Sequence, residues 1–259
     1  MNRPTSKTTL ILLAVLVLAV IGLVLFLHRG NKGVVQNPVS ETTPVPSTPT
    51  EWPTAIVKDQ TITDNASYYT ISAIYPVVKD DVINGYFKTF VTNAISQFKD
   101  DTSWAAGEGA TIAPAEASSL SLDIKYTEQK SATADNFIFS ITTYTGGAHG
   151  LQATKTFSFS PTGQQIMLAA LFKNGINGLK TVAPYVQQQL SKSADADQTA
   201  IKAGAAPTES NFQNFIITDE GVTFIFDPYQ VAPYSAGTQT VKVPLSAFKT
   251  IASKDVFGN

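Results

Sequence analysis

Eighteen apolar residues, from Leu10 to Leu27, follow one another without a charge and close on His28 and Arg29. At 1.5 Å per residue a helix of that length covers roughly 27 Å, about the hydrocarbon thickness of a bilayer, whereas a signal-peptide core runs to about 7 to 15 residues. No small-x-small cleavage pattern separates the run from Arg29, and the chain has no cysteine to carry a lipid. An uncleaved transmembrane signal-anchor over residues 10–28 is expected, with residues 1–9 as a short cytoplasmic tail.

Residues 29–54 carry Pro38, Pro44, Pro46, Pro49 and Pro53 among threonines and serines, a composition that packs no core. In a polyproline-like form at about 3.1 Å per residue this linker reaches up to roughly 75 Å. Arg3 and Lys7 on one side of the span nearly balance Arg29 and Lys32 on the other, so the positive-inside rule leaves orientation open. The stalk composition favours an extracytoplasmic C-terminal part in a bacterial envelope, and a disordered cytosolic tether is the alternative.

From residue 55 onward there are 14 lysines, no arginine and 18 carboxylates, a formal charge of −4. Neither a basic face nor the arginine fork that grips phosphates is present, so nucleic acid is excluded as a natural partner, and a cationic partner is easier to attract. Without cysteine there is no disulfide, no thiolate zinc site and no cysteine nucleophile.

Strands are the clearest local signal. Leu120, Leu122, Ile124 and Tyr126 alternate with polar residues. Phe137, Phe139 and Ile141 repeat the period, as do Phe157 with Phe159, Val222 with Phe224 and Phe226, and Val241 with Val243 and Leu245. Tyr69, Ile71, Ala73 and Tyr75 suggest an earlier strand. Half-solvated strands of this kind are usually antiparallel. Two helical stripes interrupt them: Ile83 to Phe98, capped by Asp80 or Asp81, and Leu179 to Leu190 after Gly178. Without a repeating βαβ rhythm the fold class is α+β, with antiparallel sheets and packed helices in two small subdomains, residues 55–155 and 156–259.

Chemistry-bearing residues are few. His149 is the sole histidine beyond His28, so it makes no multi-histidine zinc site, and no G-x-S-x-G elbow accompanies it. It reads as part of a glycine turn through Gly146, Gly147 and Gly150, as a ligand contact, or as the histidine of an envelope-polymer hydrolase. Tyr229 and Tyr234 sit in a proline-bounded loop, either as binding anchors or closing a sheet end. Trp104 is a sugar platform if exposed and core if tucked in. Asp195 and Asp197 lack the remaining spacing of a calcium loop. No metal, no cofactor and no catalytic set is expected.

Three segments together resemble a known family: Thr143 to Gly150 (TYTGGAHG), Phe159 to Leu168 leading to Leu171 and Phe172, and Phe224 to Gly237 (FIFDPYQVAPYSAG). They are similar to the extracytoplasmic domain pair of the RsiV-like lysozyme-sensing anti-sigma factors and to the region preceding the catalytic domain of PdaC-type peptidoglycan deacetylases. The resemblance implies an α+β ectodomain that binds a cell-wall glycan or a lysozyme-like protein and carries no chemistry of its own. With nine residues before the span, a sigma-factor-holding segment is not expected, nor is a deacetylase domain after Asn259. Set against a hydrolase using His149 and a non-catalytic accessory subunit, the expectation is a membrane-anchored extracytoplasmic binding module. Its candidate contacts are His149, Tyr229, Tyr234 and Trp104.

Overall fold

The computed structural model describes residues 51–106, 120–193 and 196–258, and Glu51–Asn259 forms one compact unit. The expected tail, span and most of the linker lie outside the described residues, as do Gly107, Gly109 and Asp195. Among the described residues no helix is long and apolar enough to cross a membrane.

The first sheet has five strands in sequence order: β1 (Ile56–Asn65), β2 (Tyr69–Val78), β3 (Leu120–Lys130), β4 (Asp135–Tyr144) and β5 (Leu151–Phe159). Between β2 and β3 runs the helix α1 (Asp81–Thr102). Asp80 caps it, accepting from the N–H groups of Val82 at 2.7 Å and Ile83 at 3.1 Å. Asn84 then clasps the end of β2, its amide exchanging two hydrogen bonds with the Val78 peptide group at 2.8 and 2.9 Å. Ile83, Phe87, Val91 and Phe98 of α1 are buried against the sheet. Phe87 is the centre of this core, its ring 4.8 to 5.8 Å from those of Phe137, Phe139, Phe157 and Phe159.

One expectation about this sheet is corrected. β2 and β3 are parallel, so the sheet is mixed rather than antiparallel. At 1.5 Å per residue the 22 residues of α1 give roughly 33 Å, enough to carry the chain back along the ten-residue β2 to start β3 in the same direction. The alternation within each strand is the same for either pairing, so it could not reveal this.

The second lobe holds α2 (Leu179–Leu190), α3 (Gln198–Gly204) and a three-stranded antiparallel sheet of β6 (Phe215–Thr218), β7 (Gly221–Phe226) and β8 (Gln239–Pro244). Asp197 caps α3 through the N–H groups of Thr199 and Ala200. Leu245, expected on the last strand, instead opens a short helix, α4 (Leu245–Phe248), because Pro244 ends the ladder. A last turn of helix, α5 (Lys254–Phe257), closes the described chain. Val182, Ala183, Val186 and Leu190 pack with Phe212, Phe224 and Phe226 in a second core.

The lobes join on the sheet face away from α1. Phe137 and Phe139 point to α1, so pleating turns Asn136 the other way. There its amide donates to the carbonyls of Gln129 (2.8 Å) and Ile217 (2.9 Å) and accepts from Ile217 N–H (2.9 Å) and Ser158 Oγ (2.8 Å). Asn214 reciprocates, donating to Thr154 O at 2.8 Å and accepting from Thr156 N–H at 3.3 Å. Side-chain amides thus stand in for peptide groups between β6 and the first sheet.

Candidate functional site

At the β4–β5 end of the first sheet, residues 145–150 turn the chain. Gly146 and Gly147 take φ of 97° and 114°, values that side-chain-bearing residues rarely adopt. Tyr144 Oη donates to Gly147 O at 2.9 Å and tightens the turn. The imidazole of His149 is exposed, and its Nδ1 lies 2.9 Å from Gly150 O.

The β7–β8 connection meets this turn. Gln230 N–H donates to Asp227 O at 3.0 Å, and with Pro228 second and Tyr229 third at φ 70° the four residues make a type II-like turn. Glycine usually fills the third place. Tyr229 is the single non-glycine with positive φ among the described residues. Strain of this kind persists only where surroundings over-determine it, and here Gln230 does so. Its Nε2 donates to Gly204 O (3.0 Å) and Asn211 O (2.9 Å), its Oε1 accepts from Asp227 N–H (3.3 Å), and Val231 behind it is buried. Gly204 permits the approach, since a Cβ there would lie 1.8 Å from the Gln230 carbonyl oxygen.

His149, Tyr229 and Tyr234 are thereby gathered into one cluster. The His149 and Tyr234 rings stack at 4.1 Å with 20° between their planes. Tyr229 lies 5.3 Å from Tyr234 and 6.3 Å from His149, inclined by 33° and 28°. Tyr229 Oη is 3.2 Å from His149 Nε2, and Tyr234 Oη donates to Gly150 O at 2.7 Å. Trp104, in a 3-10 turn after α1, approaches the same loop from another side: a Cβ on Gly146 would sit 3.8 Å from its Cζ2. Trp104 is 52% exposed and Tyr229 49%. Neither is core, and Tyr234 is half-buried.

Two features of this region were invisible in the sequence. Asp227 opens the tyrosine-bearing turn with Oδ1 buried and unpaired, and burial pushes its carboxyl up to about 6 against the opposing effect of Thr154. The Gly150 carbonyl serves two side chains at once, which no residue-type pattern signals. Elsewhere, Asp135 is wholly buried at the far end of β4, and burial raises its carboxyl, Thr54 opposing, Glu128 adding and Lys130 opposing. Among the described residues no three histidines or carboxylates gather as a metal site.

Residues 169–246 match a family described as protein of unknown function (DUF3298). The peptidoglycan-N-acetylmuramic acid deacetylase PdaC of Bacillus subtilis (strain 168) is 28% identical over 240 residues, 91% of this chain and 48% of PdaC. Esterase Rv3036c of Mycobacterium tuberculosis (strain ATCC 25618 / H37Rv) is 32% identical over 112 residues, 41% of this chain and 47% of that protein. The chain spans about half the length of the curated relatives it matches. A crystal structure of a DUF3298 member (BF2082) from Bacteroides fragilis NCTC 9343 shares the fold at 19% identity, with a TM-score of 0.56 over 80% of this chain and 98% of that one. The segment that supplies α2, α3 and the tyrosine-bearing loop thus matches the DUF3298 description, in a chain that resembles the N-terminal region of PdaC.

Proposed function

We propose that this chain is a membrane-anchored extracytoplasmic binding module whose His149, Tyr229 and Tyr234 cluster, flanked by Trp104, recognises a cell-wall glycan or a lysozyme-like protein. The observation that carries this reading is the cluster itself: three rings within 33° of parallel, presented on two mutually braced loops. Flat aromatic faces held in place lose little entropy on binding, which suits both a sugar ring and a protein anchor pocket. The resemblance to PdaC, a protein named for a peptidoglycan substrate, supports a cell-wall ligand. The formal charge of −4 from residue 55 onward supports a cationic protein one, with steering that salt should screen.

Titrating the full chain with lysozyme and with peptidoglycan fragments tests the reading. Tyr229→Ala and Tyr234→Ala should each weaken binding by about 1 to 2 kcal/mol or more while the fold survives. Unchanged affinity in folded variants would return the tyrosines to a structural role, and no binding of either ligand would leave an accessory subunit as the better account. Location is tested separately. Protease added to intact spheroplasts should remove residues 55–259, and full protection of that part would overturn the proposed topology.

A further inference from the structure

The hydrogen-bond roles around His149 are set by Gly150. A carbonyl oxygen only accepts, and Gly150 O lies 2.9 Å from Nδ1, so Nδ1 carries the proton. In the neutral imidazole Nε2 then holds the lone pair, and Tyr229 Oη, 3.2 Å away, donates to it. The imidazole is steadied from its face as well, by the Tyr234 ring at 4.1 Å, whose own hydroxyl is tied to the same carbonyl. Hydroxyl, base and orienting acceptor stand in line, the arrangement that activates a nucleophile, with a phenol in the place of an aliphatic hydroxyl and a backbone carbonyl in the place of a carboxylate.

We propose that Tyr229 is a nucleophile for acyl transfer, with His149 as its general base and the Gly150 carbonyl as positioning group, and that the site accepts small aryl esters. Two independent features support this beyond the hydrogen bonds. The positive φ of Tyr229 is backbone strain at the one residue whose hydroxyl meets the imidazole, and such strain clusters where side chains are aimed for chemistry. Both Tyr229 and His149 are exposed, so an ester and a water can reach them.

In the first step Tyr229 Oη bonds to the ester's acyl carbon while His149 Nε2 takes the phenolic proton. The tetrahedral adduct expels the leaving aryloxide, which receives that proton from Nε2. Water, deprotonated by Nε2, then attacks the acyl-tyrosine. The Tyr229 phenolate leaves and is reprotonated by the imidazolium, so a carboxylic acid and a phenol are released and the enzyme is restored. The leaving group decides the substrate class. Against an alkyl ester the Tyr229 phenolate is the better leaving group, and the adduct falls back to reactants. Against an aryl ester the two leaving groups are matched, and the acyl group moves forward.

The test uses the purified full chain and p-nitrophenyl acetate. Wild-type protein quenched in acid and digested should carry one acetyl group on Tyr229, an adduct absent from His149→Ala. Release of nitrophenolate should fall at least about tenfold in Tyr229→Phe and in His149→Ala. Thermal midpoints of the variants confirm that the fold is kept, and the adduct map of the wild type needs no variant at all. Acetyl groups confined to lysines, or nitrophenolate release by Tyr229→Phe at the wild-type rate, would overturn the proposal. Either result leaves the binding reading standing, because that is measured by affinity and not by turnover.

Discussion

The junction around Asn136 and the cluster around His149 are built from the same material, polar side chains bonded to backbone across the two lobes, yet they are opposites in cost. At the junction Asn136, Ser158, Thr156 and Asn214 are buried and every amide has partners. At the cluster His149 and Tyr229 are exposed, Tyr229 holds a strained backbone, and the carboxyl of Asp227 beneath is buried without a partner for Oδ1. The first arrangement stabilises contact between the lobes. The second spends stability to hold rings in a fixed place facing solvent, the division expected where a rigid scaffold presents a recognition surface.

The contrast is open to mutation, and the largest effect belongs to the junction. Asn136→Leu strands the buried Ile217 N–H and C=O, so it should cost about 3 to 5 kcal/mol in urea unfolding. A loss below about 1 kcal/mol would mean that the junction does not carry stability.

Next comes Asp135→Asn, with the opposite sign. Asp135 is wholly buried with only the half-exposed Lys130 ammonium, 3.7 Å from Oδ2, to offset its charge, and burial outweighs that partner, so the neutral isostere should stabilise the protein by about 1 to 3 kcal/mol at pH 8. The pH dependence follows. Burial raises the carboxyls of Asp135 and Asp227, the latter from the usual 3.8 to about 6, so in this range the folded state binds protons that the unfolded state has released. The contribution is fully present below about pH 4 and is lost as pH rises through about 6. Unfolding at a series of pH values should show that slope, diminished in Asp135→Asn and in Asp227→Asn.

Effects at the cluster should be smaller. Tyr234→Phe removes the bond to Gly150 O and should cost about 0.5 to 1.5 kcal/mol. Tyr229→Gly relieves the positive φ while giving up an exposed ring, so stability should change by less than about 1 kcal/mol although ligand binding is lost. A large destabilisation would place Tyr229 with the junction, as a structural residue.

Much of this contrast could be read from the chain, but unevenly. The alternating residues of β2, β3, β4 and β8 and the stripes of α1 and α2 are there because each buries one face, and burial on one face leaves a period. β1 leaves no period because it is largely exposed, with no apolar face. β6 leaves none either, because its Phe215-Ile216-Ile217 run is buried and a short continuous apolar run has no period. Of the site, residue type together with the resemblance of the two loop segments points to His149, Tyr229 and Tyr234, and residue type alone to Trp104. The meeting of residues 145–150 with 227–237 depends on how β6 and the residue before it dock on β4 and β5, contacts made through Asn136 and Asn214, and buried amides of that kind look like any polar residue in a sequence.

Hydrogen exchange of the full chain, with and without saturating lysozyme or peptidoglycan fragment, tests the division most directly. The account requires new protection in residues 145–150 and 227–237 on ligand binding, with β6 and its Asn136 and Asn214 contacts already protected and unchanged. Protection appearing instead along β1 or β8, with the two loops unaffected, would contradict it.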